Sequence, residues 1–210
     1  MNPTIRKAGA VLTSFLAGPY AGQAIAEIIF GITNPSAKLP ITYTNHPSTN
    51  NLNYYRLAGE IYSDIYWEFG HGLSYTTFQY SDLTLSSPTI SFNTTITATV
   101  TLTNTGNIPG AEVVLFFLTD VYRSVAPEVK KLRQFHKVHL PPAKSTKVSF
   151  IITREDLAFY NASNVRVIET GTFILSLGNS NLSANFTLES SAQASSPYQP
   201  LQLVSNSQRQ

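Results

Sequence analysis

The sequence predicts a mainly β protein, in which an immunoglobulin-like β-sandwich follows the last part of an α/β layer. Up to about residue 44, a short apolar run precedes a segment with helical periodicity. From residue 78 onward, apolar residues alternate with hydroxyl-bearing ones, which is typical of half-buried strands. The chain's 210 residues, with 42% hydrophobic content, suffice for one sizeable core and a remnant. We therefore expect an α/β remnant (1–44), a linker (45–77), a β-sandwich (78–189) and a disordered tail (190–210).

The first region lacks the parts of a complete fold. Residues 10–16 form an apolar run typical of a strand buried on both faces. Apolar residues then recur at helical spacing as far as Ile29, and Gly31 stands where helices commonly end. Residues 39–44 predict another short strand. One helix and isolated strands cannot satisfy sheet edges or cover a core, so we expect residues 1–44 to belong to a larger α/β sheet encoded upstream.

The sandwich region shows about seven strand patterns separated by turn signals, the signature of an immunoglobulin-like fold. In the clearest of them, apolar residues from Ile96 to Leu102 alternate with threonines. Val113, Leu115 and Phe117 continue this alternation, and we expect them to face inward. The other patterns lie at 79–85, 135–138, 148–152, 173–177 and 182–188.

The charge pattern argues against nucleic-acid binding. Lysine and arginine exceed aspartate and glutamate by only 14 to 12, and the basic residues are scattered. The densest basic stretch, residues 130–139, is interpreted as the solvated face of a strand rather than as a polyanion site.

The compartment is indicated weakly by several features. The chain has no cysteine, which rules out disulfides and thiolate metal sites but does not decide the compartment. Four Asn-x-Ser/Thr sequons, at Asn93, Asn161, Asn181 and Asn185, favour a secreted, glycosylated protein. No apolar run is long enough for a membrane span. Arg6-Lys7 followed by residues 8–18 resembles a short signal peptide, but a buried strand is the favoured interpretation.

One string carries a family resemblance: Phe69-Gly70-His71-Gly72-Leu73-Ser74-Tyr75-Thr76-Thr77-Phe78. It resembles the junction between the α/β sandwich and the fibronectin type III-like domain of family 3 glycoside hydrolases. The string from Ala17 to Ala24 and the one from Lys38 to Thr42 are similar to the stretches around that family's last α/β helix. Phe30-Gly31, Asn34-Pro35-Ser36, Asn104-Thr105-Gly106 and the string from Glu155 to Tyr160 follow in the family's order, and the resemblance covers roughly residues 8–188.

The resemblance implies retaining glycoside hydrolysis by the whole family member. The family's nucleophilic Asp lies in an N-terminal β/α barrel, and its Glu acid/base lies in the α/β sandwich upstream of the helix seen here. A retaining pair stands about 5–5.5 Å apart. Neither motif occurs in these residues, so no catalytic, cofactor-binding or metal-binding residue is assigned. Tyr66-Trp67-Glu68 looks more like the β-glucosidase branches than the xylosidase ones.

Three other sets of residues have the side-chain types of a site but not its arrangement. Glu60, Asp64 and Glu68 are interpreted as loop carboxylates, because nothing nearby predicts a pocket that would hold a sugar. His136 and His139 fall on opposite faces of a strand, which argues against a shared metal. Ser14, Ser36 and Ser74 lack a nucleophile elbow.

Two features keep both a structural and a functional interpretation. His71, between two glycines, is interpreted as a hinge rather than as a residue at the edge of the active-site region. The aromatic group is interpreted as an inter-domain contact rather than as a sugar platform; it comprises Tyr54, Tyr55, Tyr62, Tyr66, Trp67 and Tyr75.

Two hypotheses follow. In the first, the chain is the C-terminal scaffold of a secreted β-glucosidase that hydrolyses terminal β-D-glucosyl residues. It would then be inactive alone, with the upstream catalytic domains as its partner. In the second, the chain is a stand-alone extracellular module that binds carbohydrate or protein. The unpaired α/β segment argues for the first, because its isoleucines and Phe30 would otherwise have no core to enter.

Overall fold

The computed structural model describes residues 7–45, 53–57, 65–178 and 180–189, together with the backbone of residues 199–200. Its first regular element is the predicted helix, α1 (Ala21–Ile29), and Gly31 after it has a φ of +73°, which confirms the helix and its glycine stop. Residues 10–16 form no strand, and Leu16 is fully exposed, so the buried-strand prediction is wrong here. No described strand lies beside this run to complete a ladder.

The predicted strand at 39–44 is shorter than expected. Only β1 (Tyr43–Thr44) forms a strand, and its antiparallel partner is β2 (Ile65–Trp67). Most of the predicted connection before β2, with Glu60, Tyr62 and Asp64, lies outside the described residues.

In the rest of the described chain, nearly all of the regular secondary structure is strand, as the alternation predicts. A capped 3₁₀ helix, Arg154–Leu157, stands between two of the strands. The strands are β3 (Phe78–Leu85), β4 (Thr89–Ile90), β5 (Ile96–Asn104), β6 (Gly110–Asp120), β7 (Lys131–Leu140), β8 (Ser145–Ile152), β9 (Phe159–Tyr160), β10 (Arg166–Ile168), β11 (Gly171–Leu177), β12 (Ser183–Leu188) and β13 (Gln199–Pro200).

These strands form a two-layer sandwich. A three-stranded sheet of order β3-β5-β8 faces a five-stranded sheet of order β4-β12-β11-β6-β7. The core between them is built from inward side chains of both sheets, including Val100, Phe116, Phe150, Leu175 and Phe186. A smaller sheet of order β13-β10-β9 lies beside them, and it contains the two described residues of the predicted tail. The mainly β sandwich predicted from the alternation is confirmed.

The alternation predicts the inward face correctly in β5 but not in β6. In β5, Ile96, Ala98, Val100 and Leu102 are buried in the core. In β6, the residues facing that core are Val114, Phe116 and Leu118, so the prediction for Val113, Leu115 and Phe117 is wrong. Leu115 and Phe117 are buried all the same, on the outer face of the sheet. A second layer therefore covers that face.

The sandwich has two ends that matter for function. We call the end where Phe78 pairs with Asn104, and Gly110 with Leu140, the junction end, because the α/β segment enters there. At the opposite, distal end Ile96 pairs with Ile152, and Asp120 pairs with Phe173.

Candidate functional site: the junction between the α/β segment and the sandwich

The α/β segment is bound to the sandwich at a junction that we define as residues 34–45 and 65–77 with the strand ends they contact. Asn34 stands at its centre. Its Oδ1 accepts hydrogen bonds from Ser74 Oγ and Tyr75 N, each 2.9 Å long, and its Nδ2 donates to Pro109 O at 3.1 Å. The Tyr75 hydroxyl donates to Ile28 O at 2.6 Å. One asparagine thus fixes the end of the helical segment to both the linker and the sandwich.

Two glycines allow the backbone of the junction to pair closely. Leu39 N donates to His71 O, and Gly70 N donates to Leu39 O, each over 2.8 Å. Gly70 has a φ of +84°, and a Cβ there would stand 2.5 Å from Leu115 Cδ1. At Gly72 a Cβ would stand 2.6 Å from Ala37 O. The tight turn is therefore Glu68–His71, closed by His71 N donating to Glu68 O at 3.0 Å, with Gly70 at its third position and Gly72 just after it. The interpretation of His71 as a hinge stays a prediction.

A buried ion pair crosses the junction. Lys38 Nζ lies 2.9 Å from Glu112 Oε2, and the two side chains are only 11% and 5% exposed. Lys38 Nζ also donates to Gly72 O at 3.1 Å, and Tyr80 Oη donates to Glu112 Oε1 at 2.9 Å. Burial, followed by the charge of Glu112 and its hydrogen bond, raises the pKa of Tyr80 far above its ordinary value. Tyr80 therefore stays a neutral donor to the carboxylate.

A second buried polar group closes the turn after β5. Asn104 is fully buried, and its Oδ1 accepts from Thr76 Oγ1 at 2.7 Å and from Gly106 N at 3.1 Å. Its Nδ2 donates to Ile108 O at 2.9 Å and to Leu140 O at 3.0 Å. Every hydrogen-bonding position that a buried amide must satisfy has a partner, which is the condition for keeping such a group in a core.

Aromatic rings cover the outer face of β6. Phe69 stacks on Tyr54 with ring centroids 4.2 Å apart, and its edge meets Phe117 at 6.3 Å. Lys130 Nζ lies 5.1 Å from the centroid of Phe117, and Leu132 N donates to Tyr54 Oη at 3.3 Å. This group is the second layer that buries Phe117.

A separate aromatic group surrounds Trp67. Its ring lies edge-on to Tyr43 and Tyr66 and parallel to His71, at a centroid distance of 6.2 Å from the imidazole. Tyr66 and Tyr75 are exposed, whereas Trp67 and His71 are half-buried. Of the aromatic residues singled out from the sequence, Tyr54 and Tyr55 belong to the first group, and Tyr66 and Trp67 belong to the second. Tyr75 joins neither group and instead donates to Ile28 O, and Tyr62 lies outside the described residues.

The remaining sequence candidates do not come together. Glu68 forms an exposed ion pair with Lys130 at 3.1 Å. His136 lies beside Phe150, at a ring distance of 5.1 Å, whereas His139 pairs with Ala111 on the outer side of β7. The Ser74 hydroxyl donates its hydrogen bond to Asn34 Oδ1, and Ser14 is exposed. Among the described residues, no group of three or more His, Asp or Glu is placed to hold a metal ion.

Charged side chains gather around a small cavity at the distal end. The cavity has a volume of about 10 Å³ and is lined by Asp120, Arg123, Glu128, Arg133 and Asp156, among others. Arg123 forms an ion pair with Glu128 at 2.7 Å and lies over the ring of Phe159 at 4.6 Å. Burial raises the pKa of Asp120 to about 6, although Arg123 opposes the shift. A cavity of this size holds about one water molecule and no sugar ring.

Sequence reasoning assigned no role in the junction to the residues that carry it, although three of them lie in the strings that carry the family resemblance. The five residues are Asn34, Lys38 and Asn104 from those strings, together with Tyr80 and Glu112. One signal was available for Glu112, which is a lone carboxylate directly before the apolar run 113–118. A charge at the edge of a buried strand needs a partner. Its partner Lys38 lies in a distant part of the chain, so no spacing rule could identify the pair.

Comparison with known proteins matches both regions of the fold. The model of the glycosyl hydrolase family 3 C-terminal domain matches residues 1–75, and that of the fibronectin type III-like domain matches residues 112–181. A lysosomal beta glucosidase of Dictyostelium discoideum is 39% identical over 82% of this chain and 22% of its own length. A beta-xylosidase of Formosa agariphila is 35% identical over 80% of this chain and 25% of its own length.

A solved structure agrees with these matches. The beta-glucosidase from Listeria innocua in complex with glucose superimposes with a TM-score of 0.81 at 25% identity, over 88% of this chain and 28% of that one. This chain, an α/β segment joined to a fibronectin type III-like sandwich, therefore corresponds to the C-terminal part of glycoside hydrolases. The family is glycoside hydrolase family 3, to which this chain belongs. The chain spans about a quarter of the length of the curated relatives described here.

No helix in the described part of the chain is long and apolar enough to cross a lipid bilayer.

Proposed function

We propose that this chain is the C-terminal scaffold of a retaining β-glucosidase that removes terminal β-D-glucosyl residues. The observation that carries the proposal is the apolar surface of the α/β segment. Ile29, Phe30 and Ile32 are 65%, 80% and 76% exposed, and no residue of α1 is buried. Large apolar side chains so close together mark a surface that another layer covers. In this family that layer would be the rest of the α/β domain.

The junction supports the scaffold role. The buried Lys38–Glu112 pair and the Asn34 hydrogen bonds join the segment to the sandwich at several points with different geometry. Such a set defines one relative orientation rather than a flexible tether. The sandwich would thereby hold the end of the α/β domain, and the loops that this domain presents to a substrate, in a fixed position.

The proposal includes that the chain is catalytically incomplete by itself. Retaining hydrolysis needs two carboxyl groups about 5–5.5 Å apart on either side of a bound sugar. The distal cavity, although acidic in part, has a volume of about 10 Å³. Glu68 is exposed and paired with Lys130. The nucleophile, the acid/base and the glucosyl subsite would come from the upstream domains.

The names of the relatives favour a glucoside as the substrate, since one is a lysosomal beta glucosidase and another a beta-glucosidase. The Tyr66-Trp67-Glu68 string supports the same branch. The similarity to a beta-xylosidase shows that the part of the fold described here is shared by enzymes of both specificities. Specificity would accordingly be decided upstream.

A location outside the cytosol belongs to the same proposal. The lysosomal name of one relative and the four sequons favour entry into the secretory pathway, and a secreted glycoprotein is the form we propose.

The test is a chimera in which this chain replaces the matching C-terminal part of the Listeria innocua beta-glucosidase. We expect the chimera to hydrolyse 4-nitrophenyl β-D-glucoside, and the upstream part alone and this chain alone to be inactive.

Two results would contradict the proposal. Hydrolysis by the isolated chain would show that it contains a catalytic site. A soluble, monodisperse chimera without activity would show that the sandwich does not support the upstream domains. If the isolated chain were also monomeric and bound a β-glucan, the stand-alone binding module would be the better description.

A further inference from the structure

We propose that this chain is modified with N-linked oligosaccharides at Asn93 and Asn161, at the distal end of the sandwich. The inference rests on the proposed entry into the secretory pathway, and it identifies which of the four sequons serve as acceptors. In the transfer, Asn Nδ2 bonds to C1 of an oligosaccharide. The bond between C1 and a lipid diphosphate carrier breaks, and one amide proton is released. The acceptor therefore needs a free Nδ2 and a nearby hydroxyl from the third sequon residue.

Asn93 lies in the turn between β4 and β5. Asn93, Thr94 and Thr95 are all exposed, whereas the flanking residues Phe92 and Ile96 are buried in the core. The turn is closed by Thr94 N donating to Ser91 O at 3.2 Å and by Ser91 N donating to Thr94 Oγ1 at 2.9 Å. The two buried neighbours hold the turn out from the sandwich, so a glycan on Asn93 would displace no packed side chain.

Asn161 lies in the turn between β9 and β10, and its side chain has the geometry of an Asx-turn. Its Oδ1 accepts from Ser163 N and from Val165 N, each at 3.0 Å. The turn is continued by Asn164, whose φ of +57° is a conformation that asparagine tolerates. These bonds use the carbonyl oxygen of the Asn161 amide. They would remain after substitution at Nδ2, and residues 162–165 around it are exposed.

The other two sequons have a different backbone. Asn185 lies within β12 and pairs with Ile174, and Thr187 N donates to Pro88 O at 3.0 Å. In an extended strand, residues two apart lie about 6.6 Å from each other along one face, so the Thr187 hydroxyl is drawn away from the Asn185 amide. Asn181 lies in the loop between β11 and β12, two residues before this strand. Its hydroxyl residue Ser183 is already held in β12, where it pairs with Ser176. Once β11 and β12 pair, the third residue of each of these two sequons is therefore fixed in a strand, whereas those of Asn93 and Asn161 lie in exposed turns.

Both proposed acceptors are remote from the junction. Asn93 precedes Ile96, whose partner Ile152 is at the distal end, and Asn161 follows Phe159, which lies beneath Arg123 just beyond the end of β6. Glycans there would project away from Lys38, Asn34 and the exposed helix. The modification would thus add hydrophilic bulk to the free end of the sandwich and leave the surface that meets the α/β layer open.

The experiment expresses the full chain behind a heterologous signal peptide in a yeast host. Occupancy at each asparagine is read by peptide mass spectrometry after enzymatic deglycosylation in ¹⁸O-labelled water. We expect label at Asn93 and Asn161, with several-fold lower label at Asn181 and Asn185. Thr95→Ala should abolish label at Asn93 and Ser163→Ala label at Asn161. The matched variants Thr95→Ser and Ser163→Thr, which keep the sequons, should retain it.

Because the signal peptide is supplied, the result does not depend on the chain's own route or on the activity of the chimera. Label is measured on cell-associated and secreted chain together, so a variant that folds poorly still reports. Unmodified Asn93 and Asn161, or label concentrated at Asn181 and Asn185, would overturn the inference.

Discussion

At the scale of single residues, the Lys38–Glu112 pair is the interaction whose removal should cost most. Both side chains are almost fully buried, and Tyr80 and Gly72 complete their hydrogen bonds. Removing one charge leaves the other buried without a partner, which costs about 3–5 kcal/mol of unfolding free energy. We expect Glu112→Gln and Lys38→Met each to show such a loss in urea unfolding, and the double variant to lose less than the sum.

Lys147→Met is the control for this prediction, because Lys147 lies on the exposed face of β8. It should change the unfolding free energy by less than about 0.5 kcal/mol. Single Glu112 or Lys38 variants as stable as this control would show that the pair does not hold the junction.

Asp120 makes the stability of the fold depend on pH. Its pKa of about 6 in the fold, raised chiefly by burial, compares with an ordinary value of 3.8. The folded state therefore binds the proton more tightly than the unfolded chain does. This contribution is fully present below about pH 4 and is lost as the pH rises through 6. Because the carboxyl is partly exposed, we expect a change of only ~1 kcal/mol.

The measurement is the melting temperature between pH 4 and pH 7. Asp120→Asn should remove part of the fall in stability toward neutral pH, whereas Asp82→Asn, at an exposed position of β3, should leave the profile unchanged. A profile that is the same for wild type and Asp120→Asn would mean that Asp120 does not titrate in this range.

At the scale of elements, the sequence predicts a strand well when only one of its faces is buried. β5 alternates apolar residues and threonines, and its inward face follows from that pattern. β6 is apolar at every position from Val113 to Leu118, because the core covers one face and Phe69 and Tyr54 cover part of the other. A continuous apolar run carries no information about facing. Only the contacts in the structure show which face of β6 packs against the core.

Gly70 tests this second layer on β6. Its φ of +84° disfavours any side chain, and a Cβ would stand 2.5 Å from Leu115 Cδ1. Gly70→Ala should therefore lower the unfolding free energy by about 1–3 kcal/mol, from backbone strain and overpacking together. Gly22→Ala in α1 is the control, since no atom lies within 4 Å of its added Cβ, and alanine there should be neutral or stabilising. Equal stabilities for the two variants would contradict the close packing of this turn on β6.

At the scale of the whole molecule, the order of parts could be predicted, but the way they join could not. The helix, the glycine stop and the sandwich strands follow from local periodicity. The Lys38–Glu112 and Asn34–Pro109 contacts join residues that are distant in sequence. The sequence around each residue does not indicate which distant residue it contacts. At residues 10–16 the local sequence predicts a strand that the structure does not contain. Its apolar composition suits a buried strand, but strand structure also requires neighbours to pair with.

The exposed apolar surface of the α/β segment leads to a prediction for the molecule as a whole. We expect the 210-residue chain to self-associate in solution, because Phe15, Leu16, Ile29, Phe30 and Ile32 are all exposed. Deletion of residues 1–33 removes all five and keeps Asn34 and Lys38. The shortened chain should therefore elute as a monomer, as measured by size-exclusion chromatography with light scattering.

Deletion of residues 1–45 provides the matched comparison. It removes the same apolar side chains but also Lys38, so Glu112 loses its counter-charge within the sandwich. We expect this chain to be less stable in urea than the one lacking residues 1–33, by about 3 kcal/mol or more. If the intact chain were instead monomeric at high concentration and unaffected by either deletion, its apolar segment would need no covering layer. The proposed scaffold role would then lose the observation on which it depends.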